Sequence, residues 1–280
     1  MNLAPFYLDD VIKRALQEDI GYFDVTTDSL IDESKRCEAV LLAKQEGVLC
    51  GIEAATRVFE LLDEDFEARL FKKDGDLLES GQRIAVLGGK TRALLHGERT
   101  ALNLLQHLSG IATATHRASA LIAHTKARVT DTRKTLPGLR ALQKYAVVVG
   151  GGKNHRFGLS DAAMIKDNHI DACGSIARAV EALRAKAGHM VKIEVEARTI
   201  EEALQALYVG ADVIMFDNMS CEDMKKAVEL VAGRALLEAS GNITEETIAR
   251  VAETGVDFIS MGALTHSVRA LDISMKIRVS

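Results

Sequence analysis

The sequence predicts an α/β protein in two parts: a compact α+β N-terminal region, then an incomplete (β/α) barrel of parallel strands. Three observations predict it. From residue 128 onward, short apolar, β-branched runs alternate with helical patterns, which implies parallel βα units. The later runs begin at residues 191, 212, 235 and 256, a repeat of 21 to 23 residues. Six runs in succession end on polar or permissive residues: Asp131-Thr132-Arg133-Lys134, Lys166-Asp167-Asn168-His169, Glu196, Asp217-Asn218, Ser240-Gly241-Asn242 and Ser260-Met261-Gly262. In a barrel those ends converge on one mouth, where active sites are built. A doubly wound sheet would use only the ends near its switch point, so the pattern favours the barrel.

In chain order, Leu8, Val11, Ile12, Ala15 and Leu16 have helical spacing, and Gly21 stops that helix. Strand-like stretches follow at Ala39–Ala43 and Arg83–Leu87, with a helical pattern over Ile52–Leu62 between them. Thr91–His124 reads as two helices with a break near Ser109-Gly110. The barrel strands are expected at Arg128–Thr130, Ala162–Ile165, Val191–Val195, Asp212–Phe216, Ala235–Leu237 and Val256–Ile259. Helices are expected at Ser175–Lys186, Ile200–Val209, Cys221–Val231 and Glu245–Glu253. Ser220 with Asp223 and Thr244 with Thr247 resemble N-caps. Gly188, Gly210, Gly233 and Gly255 each follow a helix, where a left-handed residue is wanted. Ala141–Val149 is ambiguous between a helix and a seventh strand.

The composition narrows the function classes. With 280 residues and 48% hydrophobic content, the chain can build a sizeable core. No apolar run is long enough to span a membrane, and the start lacks the pattern of a secretory signal. The four cysteines, Cys37, Cys50, Cys173 and Cys221, form no CxxC pair, so a zinc knuckle or redox dithiol is not indicated. A reducing, cytoplasmic setting is expected. Net charge is −5, which gives no reason to expect nucleic acid. Residues 128–169 nevertheless hold eight Lys or Arg against three Asp. A lone charge run is more simply a solvated surface, but these residues sit at strand ends, which points to a small anionic ligand.

The expected mouth is a chemical inventory. Its cations are Arg133, Lys134, Lys153, Arg156, Lys166 and, if protonated, His155; its anions are Glu196 and Asp217. No Ser-His-Asp or Cys-His set is evident, and no cluster has structural-metal spacing. The Gly150-Gly151-Gly152-Lys153 run is neither a P-loop nor GxGxxG. Many cations with two carboxylates suit a ligand bearing several phosphates or carboxylates together with Mg2+, because Arg pairs with planar anions through two parallel bonds. Glu196 and Asp217 could hold Mg2+ or contact ribose hydroxyls. One of Glu194 and Glu196, which alternate on a strand, could equally be an interior salt bridge.

Ten motifs in one order carry a nearly full-length resemblance: Glu18–Thr26, Glu98–Asn103, Ser109–Thr113, Asp131–Arg140, Gly151–Arg156, Ile165–His169, Glu194–Glu196, Phe216–Asn218, Ser240–Asn242 and Gly262–Ser267. On them the sequence resembles the quinolinate phosphoribosyltransferase family. The resemblance implies an N-terminal α/β sandwich domain over 1–109, joined by a C-terminal tail over 267–280, and a partial barrel over 110–266. It implies transfer of a phosphoribosyl group from phosphoribosyl pyrophosphate to quinolinate, with decarboxylation, giving nicotinate mononucleotide for NAD synthesis. It places quinolinate against Arg99, Arg133, His155, Arg156 and Lys166. Lys134, Glu196 and Asp217 fall on the phosphoribosyl pyrophosphate and magnesium side, and Thr132 is a further expected substrate-binding residue. The 5′-phosphate falls near Ser240, Gly241, Asn242, Met261, Gly262 and Ala263. Lys134, Lys166, Glu196 and Asp217 are the expected catalytic residues, and Glu196 and Asp217 the expected metal ligands. The family also implies a homodimer, sometimes assembled further to a hexamer, in which Arg99 enters the neighbouring site. The rivals are a ModD-like or nicotinate phosphoribosyltransferase paralogue, disfavoured by the intact Arg133-Lys134 and His155-Arg156 pairs, and a non-catalytic barrel that binds a phosphorylated metabolite.

Overall fold

The computed structural model describes residues 3–278. Residues 1, 2, 279 and 280, which the domain expectation includes, lie outside the described residues. The chain opens with α1 (Pro5–Ile20), α2 (Val25–Leu30), β1 (Arg36–Ala43), β2 (Gly47–Val48) and α3 (Ile52–Glu60). Then come β3 (Glu67–Leu70), β4 (Leu77–Leu78), β5 (Arg83–Lys90) and α4 (Thr91–Leu121). Next are β6 (Arg128–Thr130), α5 (Arg140–Val149), β7 (Ala163–Ile165), α6 (Asp167–Cys173), α7 (Ile176–Arg184) and β8 (Ile193–Ala197). The chain ends with α8 (Ile200–Tyr208), β9 (Val213–Asp217), α9 (Cys221–Val231), β10 (Leu236–Ser240), α10 (Ile248–Ala252), β11 (Phe258–Ser260), α11 (Ala263–His266) and β12 (Ile273–Arg278).

Two compact units result. One holds the chain up to His116, Leu136–Gly150 and the stretch from Ser267 on; the other holds Arg117–Thr135 and Gly151–His266. The first unit is built on an antiparallel sheet of order β12-β1-β5-β3. β12 pairs with β1 from Ala43↔Ile273 to Glu38↔Arg278, so the chain end returns to the N-terminal sheet. Leu41, Phe59, Ile84, Leu87, Leu94, Leu105 and Leu108 form the centre of its core. Leu142, Ala146 and Val147 of α5 join the same core, and Tyr145 Oη donates to Asp74 Oδ2 at 2.8 Å. These contacts explain why Leu136–Gly150, inside the range expected for the barrel, packs with the first unit, and they settle the ambiguous stretch as a helix.

One expectation is overturned here: the break near Ser109-Gly110 does not exist, and α4 runs unbroken through it. Both residues serve packing. Ser109 Oγ accepts from the Cys50 N–H at 2.9 Å and donates to the Cys50 carbonyl at 3.2 Å. A Cβ at Gly110 would stand 2.3 Å from the Arg269 carbonyl oxygen, so glycine admits close backbone approach rather than ending the helix.

The second unit carries six parallel strands in the order β6-β11-β10-β9-β8-β7. Lys153 adds a parallel bridge on β6, donating to the Val129 carbonyl at 2.8 Å. Arg156 Nη1 donates to the Ala162 carbonyl at 2.9 Å, immediately before β7. The 153–156 turn thus links the two edge strands of the incomplete barrel. Ser220 caps α9 as expected, accepting from the Asp223 N–H. α10 starts later than expected: Thr247 is its N-cap residue without a side-chain cap, and its hydroxyl accepts from the Thr244 N–H instead. Gly210, Gly233 and Gly255 have positive φ, but Gly188 does not, because α7 closes through Ala185 in the right-handed region.

Candidate active site

Strand register places the chemistry on one face of the six-stranded sheet. Glu194 lies beside Val213, Glu196 beside Met215, Met215 beside Glu238, and Asp217 beside Ser240. Side chains alternate along a strand, so Glu194, Glu196, Asp217, Glu238 and Ser240 share that face. The alternate residues Ile193, Val195, Ala197, Ile214, Phe216, Leu237 and Ala239 are buried and apolar, which seats the opposite face in the core. A one-residue slip in register would turn the carboxylates into the apolar layer and the apolar residues onto the site face.

At the carboxyl ends of β7 and β8, Lys166 Nζ lies 2.6 Å from Glu196 Oε1. Lys166 is held from behind, its backbone N–H donating to His169 Nδ1 at 3.0 Å. At the ends of β9 and β10, Asn218 Nδ2 donates to Asp217 Oδ1 at 3.1 Å and Asn242 Nδ2 donates to Asn218 Oδ1 at 3.2 Å. Asn218 and Asn242 both adopt positive φ, and between them Gly241 has φ +99°. A Cβ there would stand 2.2 Å from Asn218 Oδ1. This tight turn presents Ser240, Gly241 and Asn242. Beyond β11, the Met261 N–H donates to the Thr130 carbonyl at 3.0 Å. A Cβ on Gly262 would stand 3.0 Å from Lys134 Cδ, so the small residue leaves room for the lysine stem. Lys134 is further fixed by its own N–H donating to Thr132 Oγ1 at 3.0 Å and by Thr265 Oγ1 donating to its carbonyl at 2.7 Å. Ala263 opens α11.

The cation wall centres on Arg156. Burial first, and then the neighbouring Arg133 guanidinium, push the Arg156 pKa down. Its buried Nε has no hydrogen-bond partner. Two guanidiniums partly withdrawn from water beside each other are costly by themselves, and an anion with two charges relieves that cost. Beside them His155 Nε2 lies 2.9 Å from Glu194 Oε2 and 3.7 Å from Glu238 Oε1. Asp131, fully buried, accepts from the His155 N–H at 3.0 Å and from Asn154 Nδ2 at 2.5 Å.

The second unit therefore gathers Thr132, Arg133, Lys134, His155, Arg156, Lys166, Glu196, Asp217, Ser240, Gly241, Asn242, Met261, Gly262 and Ala263 onto its strand ends and the adjoining turns. Arg99 belongs to the other unit, exposed on α4. Three supporting acids were not among the expected site residues: Asp131, Glu194 and Glu238. A signal existed, since a glutamate inside an apolar strand run, as in Leu236-Leu237-Glu238-Ala239, is costly unless partnered. The salt bridge expected at Glu194 or Glu196 falls at Glu196, which pairs with Lys166, whereas Glu194 faces the His155 imidazole at 2.9 Å.

Comparison with known proteins agrees along the whole length. Residues 24–109 match the N-terminal domain of quinolinate phosphoribosyl transferase, and residues 111–276 match its C-terminal domain. The chain is 50% identical over 273 residues to the probable nicotinate-nucleotide pyrophosphorylase (carboxylating) of Bacillus subtilis, covering 98% of this chain and 94% of that protein. It is 44% identical over 290 residues to the chloroplastic nicotinate-nucleotide pyrophosphorylase (carboxylating) of Arabidopsis thaliana, covering 96% and 82%. The crystal structure of NadC from Streptococcus pyogenes superposes with a TM-score of 0.95 at 46% identity, covering 99% and 98% of the two chains. With both domain models matched in order and half of all positions shared with a full-length relative, this chain belongs to the quinolinate phosphoribosyltransferase family.

Proposed function

We propose that the chain transfers the phosphoribosyl group of phosphoribosyl pyrophosphate to quinolinate and releases CO2, giving nicotinate mononucleotide and pyrophosphate for NAD synthesis. The observation that carries the substrate assignment is the Arg133–Arg156 pair, whose mutual repulsion and burial a planar dicarboxylate relieves. Lys166 adds a third positive charge from just beyond the end of β7. A monocarboxylate such as nicotinate needs fewer cations.

The chemistry asks mainly for positioning and charge. The ring nitrogen of quinolinate attacks the anomeric carbon as the bond to pyrophosphate breaks, and the developing oxocarbenium charge falls opposite Glu196 and Asp217. The 2-carboxylate then leaves as CO2. Its bonding electron pair stays on the ring carbon beside the new pyridinium cation and takes up a proton. The Ser240-Gly241-Asn242 and Met261-Gly262-Ala263 turns receive the 5′-phosphate, and Lys134 faces the diphosphate. Glu196 and Asp217 are hard oxygen donors on one sheet face, the donor type Mg2+ prefers. Bound there, Mg2+ would neutralise charge on the diphosphate. Lys166 holds one oxygen of Glu196 meanwhile.

The exposed position of Arg99 on α4 supports a homodimer in which this side chain serves the neighbouring site, with further assembly to a hexamer as a variant. Among the described residues no helix is long and apolar enough to cross a membrane, in keeping with a cytoplasmic enzyme. The test is an assay with quinolinate, phosphoribosyl pyrophosphate and Mg2+ that follows nicotinate mononucleotide and CO2 together. Equal amounts of both support the reading. Turnover of nicotinate in place of quinolinate, or no turnover, refutes it.

A further inference from the structure

We infer that Glu194 is a positioning residue of the substrate wall: it holds the His155 ring as the neutral Nε2–H form and thereby sets the 153–156 turn that presents Arg156. The inference rests on the assignment of this wall to quinolinate.

Both ring nitrogens of His155 face partners in the chain itself. The Arg156 backbone N–H donates to Nδ1 at 2.8 Å, so Nδ1 carries a lone pair rather than a proton. Nε2, 2.9 Å from Glu194 Oε2, is then the donor, and the ring is neutral. A ring fixed at both nitrogens ties the Arg156 backbone to the interior of β8. Asp131 grips the same turn through the His155 N–H and the Asn154 amide. Arg156 thus leaves a turn clamped from β6 through Asp131 and from β8 through Glu194, with its guanidinium anchored to Ala162 before β7. That clamp fixes the fork to the tolerance that two-bond recognition of a carboxylate requires.

The clamp carries an uncommon cost. Glu194 Oε1 and Glu238 Oε1 are both buried without a hydrogen-bond partner, an arrangement that natural cores avoid unless it serves something. Burial, and then the charge of Glu194, push the Glu238 pKa up to about 7, and it is Glu194 that stands nearer to Nε2, at 2.9 Å against 3.7 Å for Glu238. His155, Glu194 and Glu238 offer ligand atoms within 4.8 Å of one another, a spacing that also suits a cation. The proton between Nε2 and Glu194 already fills that place. In this arrangement the charge of quinolinate is met by Arg133, Arg156 and Lys166, not by an imidazolium at residue 155.

The test uses the full-length enzyme with 15N-labelled histidine, the His155 signals being identified by their loss in His155→Asn. The Nε2–H tautomer is expected in the wild type; a ring protonated at Nδ1, alone or as imidazolium, overturns the inference whatever the variants do. Kinetics supply the second arm. Glu194→Ala should raise KM for quinolinate about tenfold, the effect of losing one charge-assisted hydrogen bond, while KM for phosphoribosyl pyrophosphate stays within about twofold. Glu194→Gln should recover most of that loss, because its amide oxygen still accepts from Nε2–H. Equal impairment in Gln and Ala, or parallel rises in both KM values, overturns the positioning role. Arg156→Ala, run alongside, separates the two readings: an unchanged quinolinate KM there removes quinolinate from this wall and leaves the tautomer result standing.

Discussion

Replacing Arg156 with methionine keeps a long side chain over the same surface but removes the guanidinium fork. Two effects follow in the free enzyme. The bond from Nη1 to the Ala162 carbonyl is lost, at about 1.5 kcal/mol, the low end for a bond that involves a charged group. The like-charge contact with Arg133, one of the causes that push the Arg156 pKa down, is relieved and offsets part of that. Thermal stability should therefore change little. In the complex, two charge-assisted bonds to a substrate carboxylate disappear, each contributing about 1.5–3 kcal/mol. At the low end of that range the two bonds together contribute about 3 kcal/mol, which is roughly a hundredfold in kcat/KM. Arg156→Lys should recover only part, since a point charge replaces a fork. The assay is steady-state kcat/KM for quinolinate, with KM for phosphoribosyl pyrophosphate and the melting temperature as controls. Both variants within about threefold of wild type would refute the reasoning. So would a loss of activity that tracks a fall in melting temperature.

Four further outcomes are expected. Arg133→Ala should remove most of kcat/KM for quinolinate, and wild-type kinetics in that variant would overturn the substrate assignment. Glu196→Gln, which weakens the pair with Lys166 at 2.6 Å and removes a charge from the face proposed to meet the anomeric carbon, should lower kcat more than it raises KM for quinolinate. A pure KM effect would argue against electrostatic stabilisation there. Gly241→Ala, at φ +99° and 2.2 Å from Asn218 Oδ1, should cost about 1–3 kcal/mol of stability and raise KM for phosphoribosyl pyrophosphate, read by urea unfolding and kinetics. Because the folded pKa of Glu238 is raised, to about 7 from an ordinary value of 4.5, its stabilising contribution is greatest below pH 4.5 and is lost as pH rises through about 7. Glu238→Gln should then gain in melting temperature relative to wild type between pH 5 and pH 8, and a difference that does not change with pH would count against the buried neutral acid.

The barrel was legible in the sequence because parallel strands buried in the core read as apolar runs with a fixed helical spacer. The polar ends of those runs mark one face in the sequence itself. Strand limits were less legible. β8, β9 and β10 each begin one or two residues after the expected start and run on to carry Glu196, Asp217 and Ser240 inside their final pairs, since the backbone ladder is indifferent to where apolar side chains stop. Ser109 and Gly110 read as a break because local propensity cannot register that Cys50 and Arg269 come to meet them. The composition, the motif order and the cation and carboxylate inventory belong to the sequence alone and suffice for the family. Only the tertiary structure decided the partners: that Glu194 faces His155, that Glu196 faces Lys166, and that Asp131 clamps the turn before Arg156. Those pairs join residues 24 to 39 positions apart, and register and long-range packing, not local pattern, bring them within hydrogen-bond reach.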